Sequence, residues 1–291
     1  MPSPIVSLIT VNYRQPAVTL ALLESIRLID FPALEVIVVD NDPVDNVDFE
    51  AALPGLKLIR TDHNLGFAGA NNVGMKAANG DYFLLVNNDT ELNEGLIDQL
   101  LSSFVSKDIG AVSPVIRYFD EPDKVQFAGF TSIHPITGRN QTLKTQSSGL
   151  TETAYFHGAA VMIPAQVVRE SGLMSEEYFL YYEEVDWSVR IRANGYRLMV
   201  CHNATILHKE SVSTEKNSPL KTYYQTRNRV HFMRKNSNSF LLFLAFFLLI
   251  SVPKIAISLK FAGSKPHIQA FKRAIQHSLF DTKYGKQDFL T

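Results

Sequence analysis

Three clusters in the sequence have residue types and spacings suited to phosphate, metal and proton chemistry. The first is Asn87-Asn88-Asp89-Thr90, which ends the apolar run Tyr82–Val86. Polar side chains at the carboxyl end of a buried strand stand where open α/β sheets bind their ligands. A carboxylate beside amide oxygens there suits a divalent metal carrying a diphosphate. The same four residues also suit an ordinary Asn/Asp turn or helix cap. The second cluster is Glu183-Glu184-Val185-Asp186, three carboxylates in four positions at the start of a helical pattern. The helix dipole favours them there, their mutual repulsion raises pKa, and one of them can be poised as a general base. The plain reading is an acidic first turn with Asp186 paired to Arg190 at i,i+4. The third is His208, which closes the apolar strand Ala204–His208 just beyond the acidic helix. Its imidazole is either a structural group or a metal ligand.

These clusters need a scaffold that brings strand ends together. Strands are expected at 5–11, 34–39, 56–59, 82–86 and 109–116, with helices at 16–30, 66–78 and 93–105 between them. Alternating strands and helices predict a parallel α/β sheet. On one rim of that sheet, Asn12 and Tyr13 end strand one and Asp40 and Asn41 end strand two. Asn64–Asn72, which includes Gly66, Gly69 and Asn71, opens the helix before the central strand. Asp40 is placed to accept the imide N–H of a uracil or thymine ring. The Gly66/Gly69 backbone permits close approach of a ligand. From Tyr118 to Thr153 the pattern loosens, which predicts an insertion with a hairpin and a mobile loop. Order returns with a strand at 155–163, a short helix at 164–172, and a helix at 183–194 stopped by Gly195. Two short strands at 196–200 and 204–208 follow, then a basic helix at 219–235.

The 291 residues are 46% hydrophobic and 20% charged, which is globular. A single cysteine, Cys201, excludes an internal disulfide and a cysteine-based zinc site. No G-x-G-x-x-G follows a strand, and no G-x-x-x-x-G-K-[ST] occurs, which argues against a dinucleotide fold and a P-loop NTPase. The N-terminus lacks a basic region and a cleavage site, so a cytoplasmic protein is expected. Net charge is −1 but uneven, at +9 from Arg227 onward and −10 before it. A basic end predicts an anionic surface as its partner. The apolar window Phe240–Val252 stops at Pro253-Lys254, too short for a simple span. An in-plane or re-entrant membrane element is expected, with a buried helix at an oligomer interface and a true span as alternatives. A nucleic-acid site in the tail has no reading motif to support it.

Seven blocks in order resemble the family 2 glycosyltransferases, and most resemble the bacterial rhamnosyltransferase-like branch that builds cell-surface polysaccharides such as O-antigen. They are VSLITVNYR, LEVIVVDND, HNLGFAGANNVGM, YFLLVNNDTEL, FHGAAVMIP, FLYYEEVDWSVRIRANGYR and ILHKES. The resemblance implies a GT-A fold, a Rossmann-like, mostly parallel sheet with helices on both faces. It would occupy residues 1–235, with a nucleotide-binding half at 1–115 and an acceptor half at 116–235. Residues 236–291 would be a membrane-associating helical tail. It further implies a dTDP- or UDP-sugar donor, a divalent metal (Mg or Mn), and inversion at the anomeric carbon. By the same resemblance Asp40 binds the base, with Thr10 and Asn12 nearby. Asn64, Gly66, Asn71, Asn88 and Arg227 serve the donor, with Arg227-Asn228 in a segment that closes over it. Asp89, with Asn87 beside it, holds the metal, and His208 is the second metal ligand. Glu184 is the catalytic base. Asn87 stands where many members have Asp, and Glu184 replaces an Asp. The implied acceptor is a lipid-linked saccharide at the inner face of the cell membrane. Competing classes are a sugar-nucleotide-forming nucleotidyltransferase, whose Gly-rich opening TVNYRQPAV lacks, a catalytically silent sugar-binding subunit, and a DNA-binding protein.

Overall fold

In the computed structural model, residues 3–43, 47–209 and 218–280 are described. Ten strands form one sheet in the order β3-β2-β1-β4-β9-β6-β10-β5, with β7 added to β6 and β8 to β10. The first part is the expected alternation. β1 (Val6–Asn12), β2 (Leu34–Asp40), β3 (Lys57–Arg60) and β4 (Tyr82–Val86) run parallel, and α1 (Pro16–Arg27), α2 (Phe49–Ala52) and α3 (Gly66–Ala77) connect them. The near-continuous apolar runs of β1, β2 and β4 are buried on both faces, as parallel strands between helices must be, while the edge strand β3 is partly exposed. Ile9, Ile37, Val39 and Leu85 face one layer of core. Leu8, Val36, Val38 and Leu84 face the other.

Beyond β4 the sheet becomes mixed rather than mostly parallel. β5 (Thr90–Leu92), α4 (Leu96–Leu101), β6 (Ile109–Tyr118) and β7 (Val125–Phe127) lead through β8 (Leu150–Glu152) to β9 (Ala160–Pro164). β9 lies antiparallel to both β4 and β6, while β10 (Arg197–His208) runs parallel to β6. Periodicity reveals a buried strand but not the direction of its neighbour. α4 is shorter than the helix expected at 93–105. Gly95 enters it at φ +74°, and the Ser102 and Ser103 hydroxyls bond back to Gln99 O, offering the backbone an alternative to another turn. The strand expected at 155–163 begins only at Ala160. Before it the chain turns, with the Ala159 N–H donating to His157 Nδ1. The two strands expected at 196–208 are one, with a bulge between Cys201 and Thr205 against β6. Within the 118–153 insertion the hairpin is β6–β7. The rest is tied down by Ala128 N–H to Leu143 O, Leu143 N–H to Gly129 O, Thr131 N–H to Gln141 O, and Gln141 N–H to Thr131 Oγ1.

α5 (Ala165–Ser171) and α6 (Glu183–Ala193) cover one face of the sheet. Trp187 on α6 is fully buried in the same core layer as Ile9 and Leu85. α7 (Pro219–Asn236) is followed by an apolar rod that passes straight through Pro253, where the sequence predicts a stop. It comprises α8 (Phe240–Phe246), a π-helical turn at Phe247–Ser251, and α9 (Val252–Phe261). The wide turn absorbs the proline, because Val252 N–H reaches back five residues to Phe247 O. α10 (Lys265–Phe280) packs back onto α7, where Tyr223 Oη meets His277 Nδ1 at 2.6 Å.

Candidate active site

At the carboxyl ends of β1 and β4 lies a cavity of about 360 Å³. Asn64, Gly66, Asn87, Asn88, Asp89, Glu184 and His208, seven of the twelve predicted site residues, line it. The turn after β4 is real, since Asn87 O accepts both the N–H and the hydroxyl of Thr90. It serves to present Asp89 to the cavity, so the turn and the ligand readings describe the same residues.

Asp89 and His208 meet with Oδ1 to Nε2 at 3.2 Å, both almost fully buried. Gln126 Oε1 lies 2.8 Å from His208 Nδ1. With Nδ1 against Gln126, His208 turns Nε2 toward Asp89 Oδ1. A carboxylate oxygen and an imidazole nitrogen side by side are a ligand pair that would suit a divalent cation. Adjacent ligands on one metal, each about 2.1 Å from it, stand roughly 3 Å apart, so the pair fits a divalent ion. Among the described residues no group of three or more His, Cys, Asp and Glu gathers for a metal. The remaining ligands would therefore come from donor oxygens and water, the usual habit of Mg on phosphates. His157 packs between Phe127 and Phe130, and its ring centroid lies 6.1 Å from that of His208. Burial, with the nearby His208 adding to it, pushes His157 down to about 3, so it is neutral.

Glu183 and Glu184 also line the cavity. Each has one buried carboxylate oxygen, Oε2, with no hydrogen-bond partner. Burial lifts Glu184 to about 7, against the pull of backbone N–H groups at the start of α6. Burial and the charge of Glu184 raise Glu183 well above the carboxylate range. Two adjacent acids lining the cavity are thus both raised by burial, Glu184 to about 7, which makes them candidates for proton transfer. The loop that delivers them is strained. Phe179, Tyr181 and Tyr182 all have positive φ, at 63°, 67° and 78°. Asn228 Nδ2 donates to the carbonyls of Tyr178, Leu180 and Tyr181, and Arg227 Nη2 to those of Glu177 and Tyr178. Arg227 is completely buried and stacks over Tyr224 at 5.0 Å. It therefore braces the Glu183/Glu184 loop from beneath and does not line the cavity as a donor contact.

Four other predicted residues are also placed off the cavity surface. Asn88 Nδ2 donates to Thr19 Oγ1, Thr19 to Asn12 Oδ1, and Asn12 Nδ2 to Asp40 Oδ1 at 2.7 Å. This relay ties the ends of β4, β1 and β2 together and uses the Asn12 amide internally. Asp40 is 1% exposed and pairs with Arg60 Nε at 3.7 Å. Thr10 is fully buried, and Asn71 donates to Phe67 O inside α3. Gly66 and Gly69 serve close packing by the protein itself. A Cβ on Gly66, at φ +71°, would meet Phe179 O at 2.4 Å, and one on Gly69 would meet Leu65 Cβ at 2.9 Å. Thr19, Gln126, His157, Tyr181 and Lys221 were not legible as site residues, although the last four line the cavity. Only the His157-Gly158 pair carried a signal, a glycine beside a titratable ring.

The sequence model of glycosyl transferase family 2 matches residues 7–171. The chain belongs to that family. This family 2 glycosyltransferase is 26% identical over 216 residues to the low-salt glycan biosynthesis hexosyltransferase Agl10 of Haloferax volcanii, covering 70% of this chain and 67% of that one. It is 23% identical over 213 residues to the dTDP-rhamnosyl transferase RfbF of Shigella flexneri, covering 69% and 71%. Among solved structures it resembles the mannosyltransferase PcManGT of Pyrobaculum calidifontis, determined with GDP-Man and Mn2+. The TM-score is 0.60 at 15% identity, covering 96% of this chain and 88% of that one. S. aureus TarS residues 1–349 also gives 0.60, at 17% identity, covering 94% and 81%. The fold is GT-A.

Proposed function

We propose that this protein is a metal-assisted inverting hexosyltransferase that moves a sugar from a nucleoside-diphosphate donor to a lipid-linked saccharide in cell-surface polysaccharide synthesis. The observation that carries the reading is the cavity itself, which Asp89, His208, Glu183 and Glu184 all line, with Asp89 and His208 in contact at 3.2 Å. A dTDP- or UDP-sugar is the proposed donor, with rhamnose first, in keeping with the relative whose name is dTDP-rhamnosyl transferase. The cytoplasmic face of the membrane is the proposed place of action.

Asp89 and His208 would hold the divalent metal, Mg or Mn, which neutralises charge on the leaving diphosphate. Glu184, ionised above its raised pKa, takes the proton from the acceptor hydroxyl. The acceptor oxygen bonds to the anomeric carbon as the bond from that carbon to the diphosphate oxygen breaks. The nucleoside diphosphate leaves on the far side, so the configuration inverts. Glu183 keeps its own proton and so leaves the negative charge to Glu184. Phe67, Phe179 and Leu180 line the rest of the cavity with apolar surface and limit access of water to the donor.

The test is thermal unfolding with dTDP-rhamnose and UDP-sugars, each with and without Mn, followed by turnover. A donor at about 100 times its Kd adds roughly 2.7 kcal/mol. A rise with one donor that requires metal supports the reading. Binding of a donor with no transfer to any lipid-linked acceptor would favour a silent binding subunit instead.

A further inference from the structure

The rod Phe240–Phe261 is 22 residues long, or about 33 Å as a helix, enough to cross a hydrocarbon core. Its packing argues for another arrangement. Phe243, Phe247 and Ser251 are buried against the body, and Ile255 and Leu259 extend the same stripe half-buried. The π turn keeps that stripe in line. Arg229 of α7 clamps it, with its guanidinium 5.6 Å from the ring centroids of both Phe243 and Phe247 and Nη2 donating to Ser251 Oγ and Thr137 O. A spanning helix would have to leave this clamp and strand a buried guanidinium.

The opposite face is bare. Leu241 is 79% exposed, Leu249 76% and Phe261 89%, with Leu242, Ile250 and Ile257 also exposed. A continuous apolar face of this size marks an interaction surface. The sequence 218–280 contains ten Lys/Arg and no Asp or Glu. Lys254, Lys260, Lys265 and Lys272 among them are exposed. An apolar ridge set in an all-basic layer is complementary to an anionic bilayer surface.

We propose that this helix docks in the plane of an anionic membrane. Arg229, Phe243 and Phe247 hold its inner face on the enzyme, while Leu241, Leu249 and Phe261 enter the acyl boundary. The inference deepens the membrane part of the proposed function, and its test needs neither donor nor acceptor. The full chain is floated with phosphatidylcholine vesicles, alone and with a third of phosphatidylglycerol. Binding is expected only to the anionic vesicles, weakened by salt and reversed by alkaline carbonate. A fluorophore on Leu249→Cys, the accessible thiol because Cys201 is buried, should be quenched by nitroxides near the headgroups and not by those at the bilayer centre. The double variant Leu249→Glu, Phe261→Glu should lose vesicle partitioning by at least about tenfold, with its melting temperature unchanged as proof of folding. Carbonate-resistant retention with quenching at the bilayer centre would overturn the in-plane arrangement in favour of a span. Absence of vesicle binding would overturn the proposal, and a dimer broken by Leu249→Glu would then assign the face to a second copy.

Discussion

Asp186 and the Glu183/Glu184 pair lie within one turn of α6, are all largely buried, and have opposite fates. Asp186 is surrounded by donors, namely Tyr178 Oη at 3.0 Å, Arg190 Nε at 3.1 Å, Lys235 Nζ at 3.2 Å and Asn236 Nδ2 at 3.3 Å. Burial works to raise its pKa, but Lys235 and Arg190 outweigh that and hold it below the ordinary value. Among the described residues no cation pairs with the Glu183 or Glu184 carboxylate, and burial raises both. The i,i+4 pairing with Arg190 belongs to a carboxylate that ties α6 to α7. The unpaired desolvation belongs to the two that face the cavity. A buried acid with its partners supplied holds structure together, while one without them is available to move a proton.

The largest effect that would break this contrast is on turnover. Glu184→Gln should lower kcat by roughly 10²–10⁴, the usual worth of a general base, with donor binding retained in a thermal-shift assay. Loss of donor binding instead would make Glu184 a binding residue. Next comes stability. Asp186→Ala removes the carboxylate shared by Tyr178, Arg190, Lys235 and Asn236 and should cost about 1–3 kcal/mol in urea unfolding. Turnover per folded molecule should stay near normal. An intact fold with dead chemistry would reverse the assignment of the two regions. Smaller again is the effect of Gln126→Leu, which touches no reacting group. By freeing His208 Nδ1 it should weaken metal-dependent donor binding by about 10–100-fold. An equal loss without metal would assign Gln126 to packing alone.

The same contrast explains what could be read from the sequence. β1, β2 and β4 were legible because burial on both faces leaves unbroken apolar runs, and the polar residues that stop them marked the rim. Glu183–Asp186 was legible as a cluster, and the resemblance named Glu184 within it, but which carboxylates are paired was not legible. The deciding partners, Lys235 and Asn236, lie 49 and 50 residues away. The relay Asn88–Thr19–Asn12–Asp40 was invisible for a similar reason, since Thr19 reads as one polar residue in a helix. Arg227 looked like a donor contact because a cation near a phosphate site is expected. Its burial against the Tyr223 and Tyr224 rings and the Glu177 and Tyr178 carbonyls is a tertiary fact. Gly66 was marked as a close approach, and the structure sets the protein's own Phe179 against it at the cavity edge, because glycine reports proximity without saying to what.

The smallest effect separates the two regions by pH. A carboxyl whose pKa is raised on folding keeps its proton when the unfolded chain has already lost it. Its contribution is intact below the unfolded value near 4.5 and is lost as pH rises through the folded value of about 7. Glu184 therefore destabilises the fold at alkaline pH, and Glu184→Gln should remove that cost. At pH 8 the variant should melt a few degrees higher than the parent, and near pH 4 the two should coincide. Asp186, held low, has the opposite sign: its contribution is present at neutral pH and is lost as pH falls through its depressed folded value. Melting curves of the parent, Glu184→Gln and Asp186→Asn would display the Glu184 slope between about pH 4 and 8 and the Asp186 slope only below about pH 4, so the scan must extend into acid. If Glu184→Gln melted lower than the parent at pH 8, Glu184 would have a stabilising partner in the folded protein, and the proton-transfer role would lose its physical basis.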